Sequence, residues 1–124
     1  MKLITKELDI LFEDNHLIIV NKPCGILVQG DKTGDIPLLE IIKQYIKKKY
    51  DKKGNFFVGL VNRIDRPTSG IVIFTKTSKA LSRMNEKLKN RKIRKIYWLI
   101  ISNKFESNEG TLEGWFKKNS KQNK

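Results

Sequence analysis

The chain alternates between short apolar runs with strand-like spacing and longer stretches with helical spacing. Apolar runs at 8–12 and 17–20 flank a turn-forming stretch at 13–15, which predicts a β-hairpin. Pro23 and Gly25 then interrupt the pattern, because neither residue continues a strand ladder well. Further strands are predicted over residues 56–61, 71–74, 93–101 and 111–116, and the β-branched run at 71–74 is typical of a strand buried on both faces.

Two stretches have the spacing of amphipathic helices. Asp35 to Tyr50 predicts a helix that Asp35 caps and in which Pro37 suits the first turn. A second helix starts at Ser78. The predicted inward faces are Leu38, Ile41, Ile42 and Tyr45 in the first helix, and Leu81, Met84 and Leu88 in the second. The fold class is therefore mixed α+β, with a mainly antiparallel central sheet, flanking helices and a polar tail at 117–124.

Length and composition place the chain among small globular domains. It has 124 residues, of which 39% are hydrophobic, so it is long enough to bury a core and is not a disordered basic tail. No apolar run approaches the length of a transmembrane helix, and because of the acidic residues near the N-terminus we expect no secretory signal. No repeat or linker divides residues 1–124. A single cysteine excludes an internal disulfide, and we expect a cytoplasmic protein.

Positive charge is concentrated in the second part of the chain. The formal charge is +13, with −3 on residues 1–42 and +16 on residues 43–124. Two clusters dominate: Lys43, Lys47, Lys48, Lys49, Lys52 and Lys53, and then Lys87, Lys89, Arg91, Lys92, Arg94 and Lys95. Such clusters attract a polyanion, but they also occur as an ordinary solvated surface, and composition alone leaves both interpretations open. No helix combines a basic face with an aromatic one, which disfavours a membrane surface.

Residues 62–70 form the most unusual stretch of the chain. Asp65 lies between Arg63 and Arg66, and the following Pro-Thr-Ser-Gly forces a turn before an apolar strand. Neighbouring positive charge would keep the Asp65 carboxylate ionised, as a nucleophile or a base requires. The residues alone favour a plainer interpretation, in which an ion pair between the aspartate and an arginine stabilises the loop.

Three motifs in this order resemble those of the RluA-type RNA pseudouridine synthases. The family's signature loop is His-Arg-Leu-Asp, two further residues and Thr-Ser-Gly. The matching residues are Arg63, Asp65, Thr68, Ser69 and Gly70, while Asn62 replaces the usual His and Ile64 the usual Leu. Asn21-Lys22-Pro23 with Gly25 resembles the family's N-terminal turn, and Lys95-Ile96-Tyr97 resembles its Lys-x-Tyr strand. The resemblance covers essentially the whole chain.

The resemblance implies an enzyme that isomerises a specific uridine to pseudouridine in structured rRNA or tRNA. Asp65 would be the catalytic carboxylate, acting after the nucleotide is flipped out of its helix. Arg63 would fill the vacated stack or hold the displaced strand. Tyr97 would stack on the uracil, although an ordinary strand aromatic beside Trp98 has the same pattern. The other implied roles are loop shaping by Asn62, Thr68, Ser69 and Gly70, and RNA binding by Lys22, Arg66, Lys92, Arg94 and Lys95.

Lys22 also fits a second role, in which it braces the fold. The family uses no metal and no organic cofactor, and a chain with one histidine and one cysteine cannot build an ordinary zinc site.

Length is the main departure from the family. The family's catalytic domain continues past the Lys-x-Tyr strand and supplies a basic residue, usually Arg, that pairs with the aspartate. We therefore expect a truncated synthase, a fragment of a longer chain, or a site completed by a partner, with self-association favoured by an exposed sheet edge. We expect no S4-type RNA-binding domain. The alternatives are an inactive RNA-binding remnant of such an enzyme, or a small basic ribosome-associated protein with an accidental match.

Overall fold

The computed structural model describes residues 8–117, which divide into two compact units, one ending at Arg94 and the other beginning at Lys95. The elements of the first unit are β1 (Asp9–Glu13), β2 (Leu17–Lys22), α1 (Leu38–Lys49), β3 (Gly59–Leu60), β4 (Gly70–Thr75) and α2 (Ser78–Lys89). The four strands form one antiparallel sheet in the order β1-β2-β4-β3. This confirms the predicted α+β class with an antiparallel sheet and flanking helices.

The sheet is organised around the long pairing of β2 with β4. Their register runs from Leu17 opposite Thr75 to Lys22 opposite Gly70, with all six positions paired. The predicted hairpin of β1 and β2 is confirmed, and the carboxylate of Asp14 accepts hydrogen bonds from two backbone amides in its turn. The two strands that carry or flank the sequence motifs therefore lie side by side at the centre of the sheet.

The core lies between α1 and one face of the two central strands. Side chains of a strand alternate between the two faces, so every second residue of β2 and β4 points toward α1. The fully buried apolar members of this layer are Ile18, Val20, Val72, Phe74, Leu38 and Ile42, with Ile46 only 1% exposed. Burying each such side chain contributes roughly 1.5–3 kcal/mol, which makes this layer the main apolar support of the unit.

The start of α1 differs from the sequence prediction. Pro37 is the N-cap residue and no side chain caps the helix, so Asp35 does not act as its cap. Instead the first helical amide, that of Leu38, donates to the carbonyl of Leu27 at 2.7 Å. A backbone carbonyl satisfies an N-terminal amide as well as a side chain does. The carboxylate of Asp35 is thereby left for another partner, the guanidinium of Arg66.

The second helix starts where the sequence predicts. Thr77 is its N-cap, and the threonine hydroxyl accepts a hydrogen bond from the amide of Ala80. Ala80 is the buried residue of α2. The predicted inward residues are only partly buried: Leu81, Met84 and Leu88. The predicted face is correct, but it packs less deeply than that of α1.

Several predicted strands do not form within residues 8–117. The strand predicted at 56–61 is reduced to Gly59–Leu60, and no strand is present at 93–101 or 111–116. Trp98 and Ile100 are almost fully exposed. An apolar run favours a strand through its side chains, but a ladder also requires a neighbouring strand to pair with the backbone. In the second unit, the described residues 95–117 contain neither helix nor strand. Of the predicted tail, residues 118–124 lie outside the described part.

No helix within residues 8–117 combines the length and the apolar character needed to cross a membrane.

A polar cluster joins β1, α1 and the end of β4. The carboxylate of Glu13 accepts hydrogen bonds from Lys76 and Lys49 at 2.6 and 2.8 Å, and from the hydroxyls of Tyr50 and Tyr45 at 2.7 and 2.9 Å. Burial alone would raise the pKa of Glu13, but these four hydrogen bonds outweigh it and lower the pKa to about 2. The cluster therefore holds three elements together through one ionised side chain.

The packing between β3, β4 and α2 leaves one polar atom without a partner. Thr75 is fully buried, and its hydroxyl makes no hydrogen bond in the described structure. Gly59 lies directly opposite, and a Cβ atom at that position would collide with the Thr75 hydroxyl and press on Leu81. The contact between these two strands therefore requires glycine in β3, whereas it makes no evident use of the hydroxyl in β4.

We expect Glu13 to make stability depend on acid pH. Its pKa is about 2 in the folded chain and near 4.5 when unfolded, so its contribution is fully present above pH 4.5 and is lost as the pH falls toward 2. Because solvent partly screens the charge of Glu13 from the lysines, we expect a loss of roughly 1–3 kcal/mol in the free energy of unfolding. Urea unfolding at pH 6 and pH 3 measures it, with Glu13→Gln as the control. An equal pH dependence in wild type and variant would contradict the expectation.

The substitution Thr75→Val is expected to stabilise the protein. Valine has nearly the same shape and removes a buried hydroxyl whose lost hydration no hydrogen bond replaces, for a gain of about 1 kcal/mol in the free energy of unfolding. The same change at Thr77 removes the cap of α2 and should cost about 1 kcal/mol. Urea titrations of the two variants test the opposite signs, and a destabilised Thr75→Val variant would show that the hydroxyl has a partner.

Candidate active site

The loop between β3 and β4 carries the aspartate motif, and Asn62 attaches this loop to the sheet. The side-chain oxygen of Asn62 accepts a hydrogen bond from the amide of Ile73 at 2.8 Å, and its nitrogen donates to the carbonyl of Ile71 at 3.0 Å. An amide side chain has one acceptor and one donor group, so it pairs with both backbone groups of β4 as a strand residue would. Asn62 therefore extends the ladder at the point where the loop leaves the sheet.

The rest of the loop turns tightly and returns to the sheet through glycine. The amide of Thr68 donates to the carbonyl of Asp65 at 3.0 Å, which closes a four-residue turn. Gly70 then begins β4 with a φ of +138°, a conformation that other residues rarely adopt. Thr68 is partly buried and Ser69 is exposed. The geometry agrees with a loop-shaping role, although no contact tests the chemistry of these residues.

Lys22 is completely buried beneath this loop. Its ammonium group donates to the carbonyls of Ile26, Pro23 and Arg66 at 2.8, 3.0 and 3.1 Å, which engages all three of its protons. Burial lowers the pKa of Lys22, and the nearby Cys24 and Asp65 act in the opposite direction. Lys22 has no exposed atom to offer to RNA. The structure therefore corrects the predicted RNA contact and agrees with the bracing role.

Arg66 joins the same two segments from the other side. Its backbone carbonyl accepts from the amide of Gly25 at 2.8 Å, and its Nε donates to the Gly25 carbonyl at 3.0 Å. Gly25 has a φ of +87°, which explains why glycine ends this turn. Two motifs that are 41 residues apart are thus held together by reciprocal hydrogen bonds.

Neither flanking arginine binds Asp65. The guanidinium of Arg66 pairs with Asp35 at 2.6 Å, and Arg63 donates to the side-chain oxygen of Gln29 at 3.2 Å. Asp65 is exposed, and its carboxylate makes no hydrogen bond or ion pair with any described residue. A loop stabilised by an Asp65–arginine pair is therefore the wrong interpretation. The braced backbone presents a carboxylate that is available for chemistry.

The remaining predicted site residues lie outside this loop. Lys92 and Arg94 follow α2 in the first unit and are exposed. Lys95 and Tyr97 belong to the second unit, where Tyr97 is 58% exposed. Their proposed contacts with RNA and uracil stay predictions. The sequence does not show the partners of the two arginines, because nothing marks Gln29 and the pattern around Asp35 predicts a helix cap instead.

A family model described as RNA pseudouridylate synthase matches residues 16–124 of this chain. The chain belongs to this family. The RluA-type resemblance of the three motifs is thereby confirmed. The chain is 37% identical over 123 residues to an uncharacterised RNA pseudouridine synthase of Mycoplasma genitalium, covering 97% of this chain and 38% of the relative. It is 40% identical over 92 residues to ribosomal large subunit pseudouridine synthase C of Buchnera aphidicola from Acyrthosiphon pisum, covering 74% and 27%.

A solved structure shows the same fold. The human protein RNA pseudouridylate synthase domain containing 4 superposes with a TM-score of 0.60 at 23% identity, over 71% of this chain and 33% of the human one. The chain thus spans between 27% and 38% of the length of these matched proteins.

Replacement of Lys22 by methionine should strongly destabilise the chain. Methionine has a similar length but donates no proton, so three carbonyls lose their common donor. We expect a loss of about 2–4 kcal/mol in the free energy of unfolding. Lys48→Met, at an exposed position, is the matched control. Equal stability of the two variants in urea titrations would show that Lys22 does not brace the loop.

Proposed function

We propose that this chain carries the catalytic aspartate of an RNA pseudouridine synthase, and that Asp65 is that residue. The observation that carries the proposal is an exposed carboxylate without a partner on a loop held in place from both sides. Arg63 and Arg66 are close to Asp65 in sequence yet bind Gln29 and Asp35, so the carboxylate is left open although two cations are near. The membership of the chain in the synthase family supports the same role.

The reaction replaces one bond of the nucleoside with another. The bond between N1 and C1′ of uridine breaks, the base turns, and a bond between C5 and C1′ forms. C5 loses its hydrogen as a proton, and N1 gains one, so the product is an isomer of the substrate. The Asp65 carboxylate either attacks the nucleoside covalently or removes a proton from the sugar, and an exposed oxygen free of hydrogen bonds suits both steps.

Access to the uridine requires that it leave its helix. Flipping costs about a few kcal/mol, which contacts with the emptied stack have to offset. Arg63 is exposed, and its side chain makes one long hydrogen bond of 3.2 Å, to Gln29. It can therefore release Gln29 and contact the RNA instead. Tyr97 would stack on the flipped uracil through its exposed ring.

The RNA partner is inferred from charge and from relatives. Lys92, Arg94 and Lys95 are exposed cations suited to phosphate contacts. Arg66 is partly buried, and it would have to exchange its ion pair with Asp35 to bind a phosphate. Several relatives are named ribosomal large subunit pseudouridine synthase C, which favours rRNA as the substrate, with tRNA as the alternative.

Release of tritium from RNA carrying 5-tritiated uridine tests the proposal, because the reaction expels the C5 hydrogen whichever uridine is modified. We expect wild type to release tritium and Asp65→Asn to lose about 10²-fold or more of the rate. Asp51→Asn is the matched control, since Asp51 is an exposed aspartate in a conformation that asparagine also adopts. Equal rates in the two variants would exclude Asp65. A folded wild-type chain that binds RNA without release would instead support the inactive RNA-binding alternative.

A further inference from the structure

Helix α2 presents a row of cations to solvent. Lys79, Arg83 and Lys87 follow each other at intervals of four residues and are all exposed, whereas Leu81, Met84 and Leu88 are partly buried. Residues four apart lie one above the other on a helix, so the row extends over about 12 Å. Arg91, also exposed, follows directly after the C-cap residue Asn90. We refer to these four cations as the α2 ridge: Lys79, Arg83, Lys87 and Arg91.

The α2 ridge has no acidic partners within the described residues. The ion pairs there are Lys43–Glu40, Lys49–Glu13, Arg66–Asp35 and Lys76–Glu13, and none involves α2. On α1, by contrast, two of the basic residues are engaged. Glu86 is the single acidic residue between positions 78 and 94. Within the described residues the ridge therefore keeps all of its charge available for an external anion, whereas α1 keeps that of Lys47 and Lys48 and loses that of Lys43 and Lys49 to ion pairs.

The backbone at Arg91 provides an independent observation. Arg91 has a φ of +53°, and its amide donates to the carbonyl of Leu88 at 3.1 Å, so it occupies the left-handed position that closes the helix. Glycine is favoured there, and a long side chain is not. The equivalent position after α1 is Asp51, with a φ of +46°, and aspartate tolerates this region. An exposed arginine in a strained position, with no packing to compensate, suggests that its charge is what matters.

We propose that the α2 ridge binds the phosphate backbone of the RNA substrate. Unpaired cations at regular spacing would neutralise successive phosphates and release their counterions, without reading the base sequence. The inference rests on the proposed function for the identity of the polyanion. It adds a docking surface that does not depend on Asp65, so binding and catalysis are separable by experiment.

The first test compares two triple variants of the full chain that remove the same charge. Lys79→Gln/Arg83→Gln/Lys87→Gln neutralises the ridge, and Lys47→Gln/Lys48→Gln/Lys53→Gln neutralises exposed lysines near α1. Affinity for a structured rRNA transcript is measured across a salt series, with circular dichroism to verify folding. We expect the ridge variant to bind about tenfold more weakly and its slope of log affinity against log salt to fall by about 2–3. The control slope should change by less than about one.

The outcomes that overturn the ridge differ from those that overturn the proposed function. Equal losses in the two triple variants would show that only total charge matters, and an unchanged ridge variant would exclude the ridge. Loss of binding to anionic vesicles without loss of binding to RNA would assign the ridge to a membrane surface instead. Absence of RNA binding by wild type also overturns the ridge, whereas tritium release alone decides the role of Asp65.

The second test separates charge from strain at one residue. Arg91→Gly should raise the melting temperature by roughly 4–8 °C, because it relieves the left-handed conformation, and yet weaken RNA binding and lower the salt slope by about one. Asp51→Gly is the matched control, which relieves the same conformation near α1 and should leave the salt slope unchanged. If Arg91→Gly binds RNA as wild type does, Arg91 is not part of the RNA surface.

Discussion

The buried ammonium group of Lys22 is the constraint on which the site depends. A charged group without water is tolerated only when hydrogen bonds replace its hydration, and here three backbone carbonyls do so. Two of these carbonyls belong to the turn after β2, and the third belongs to Arg66 in the loop between β3 and β4. The requirement to satisfy one lysine therefore brings together two segments that are 44 residues apart.

This constraint explains how an exposed loop holds a defined shape. Loops are usually the less ordered parts of a domain, but this one is attached at each end and in the middle. Asn62 pairs with β4 where the loop begins, Arg66 binds the Gly25 turn near its centre, and Gly70 leads the chain back into β4. Asp65 lies between these attachments, so its position is determined by its neighbours while its own carboxylate stays unengaged. Such preorganisation is what a catalytic carboxylate requires.

The polar cluster around Glu13 follows the same principle at another place in the unit. One ionised side chain accepts four hydrogen bonds, and it connects α1 to the strands at their edge, where the apolar core no longer reaches. Lys49 and Lys76 form ion pairs with Glu13 there, so their charge is not available to an external anion. More cations form ion pairs beside α1 than along α2. The reason is where the acidic residues lie, and not the number of lysines in each helix.

The sequence by itself determined the local elements and the identity of the aspartate motif. Apolar spacing is a local property, so the hairpin, both helices and β4 were predictable, and three motifs in order, that of residues 62–70 among them, together indicated the family. Partner choice is not local. Nothing in the sequence shows that Asp35 would pair with Arg66 instead of capping α1, or that Lys22 would be buried instead of facing RNA.

Only the tertiary structure decided these partners, because hydrogen bonds and ladders require two groups that the fold brings within about 3 Å of each other. The apolar run at 93–101 has the composition of a strand and yet forms none, since a strand also needs a neighbour. Asn62 shows the opposite case. Its side chain makes the hydrogen bonds with β4 that a neighbouring strand backbone would otherwise make. Local pattern sets which conformations a segment favours, and the contacts available in the folded chain decide which of them it adopts.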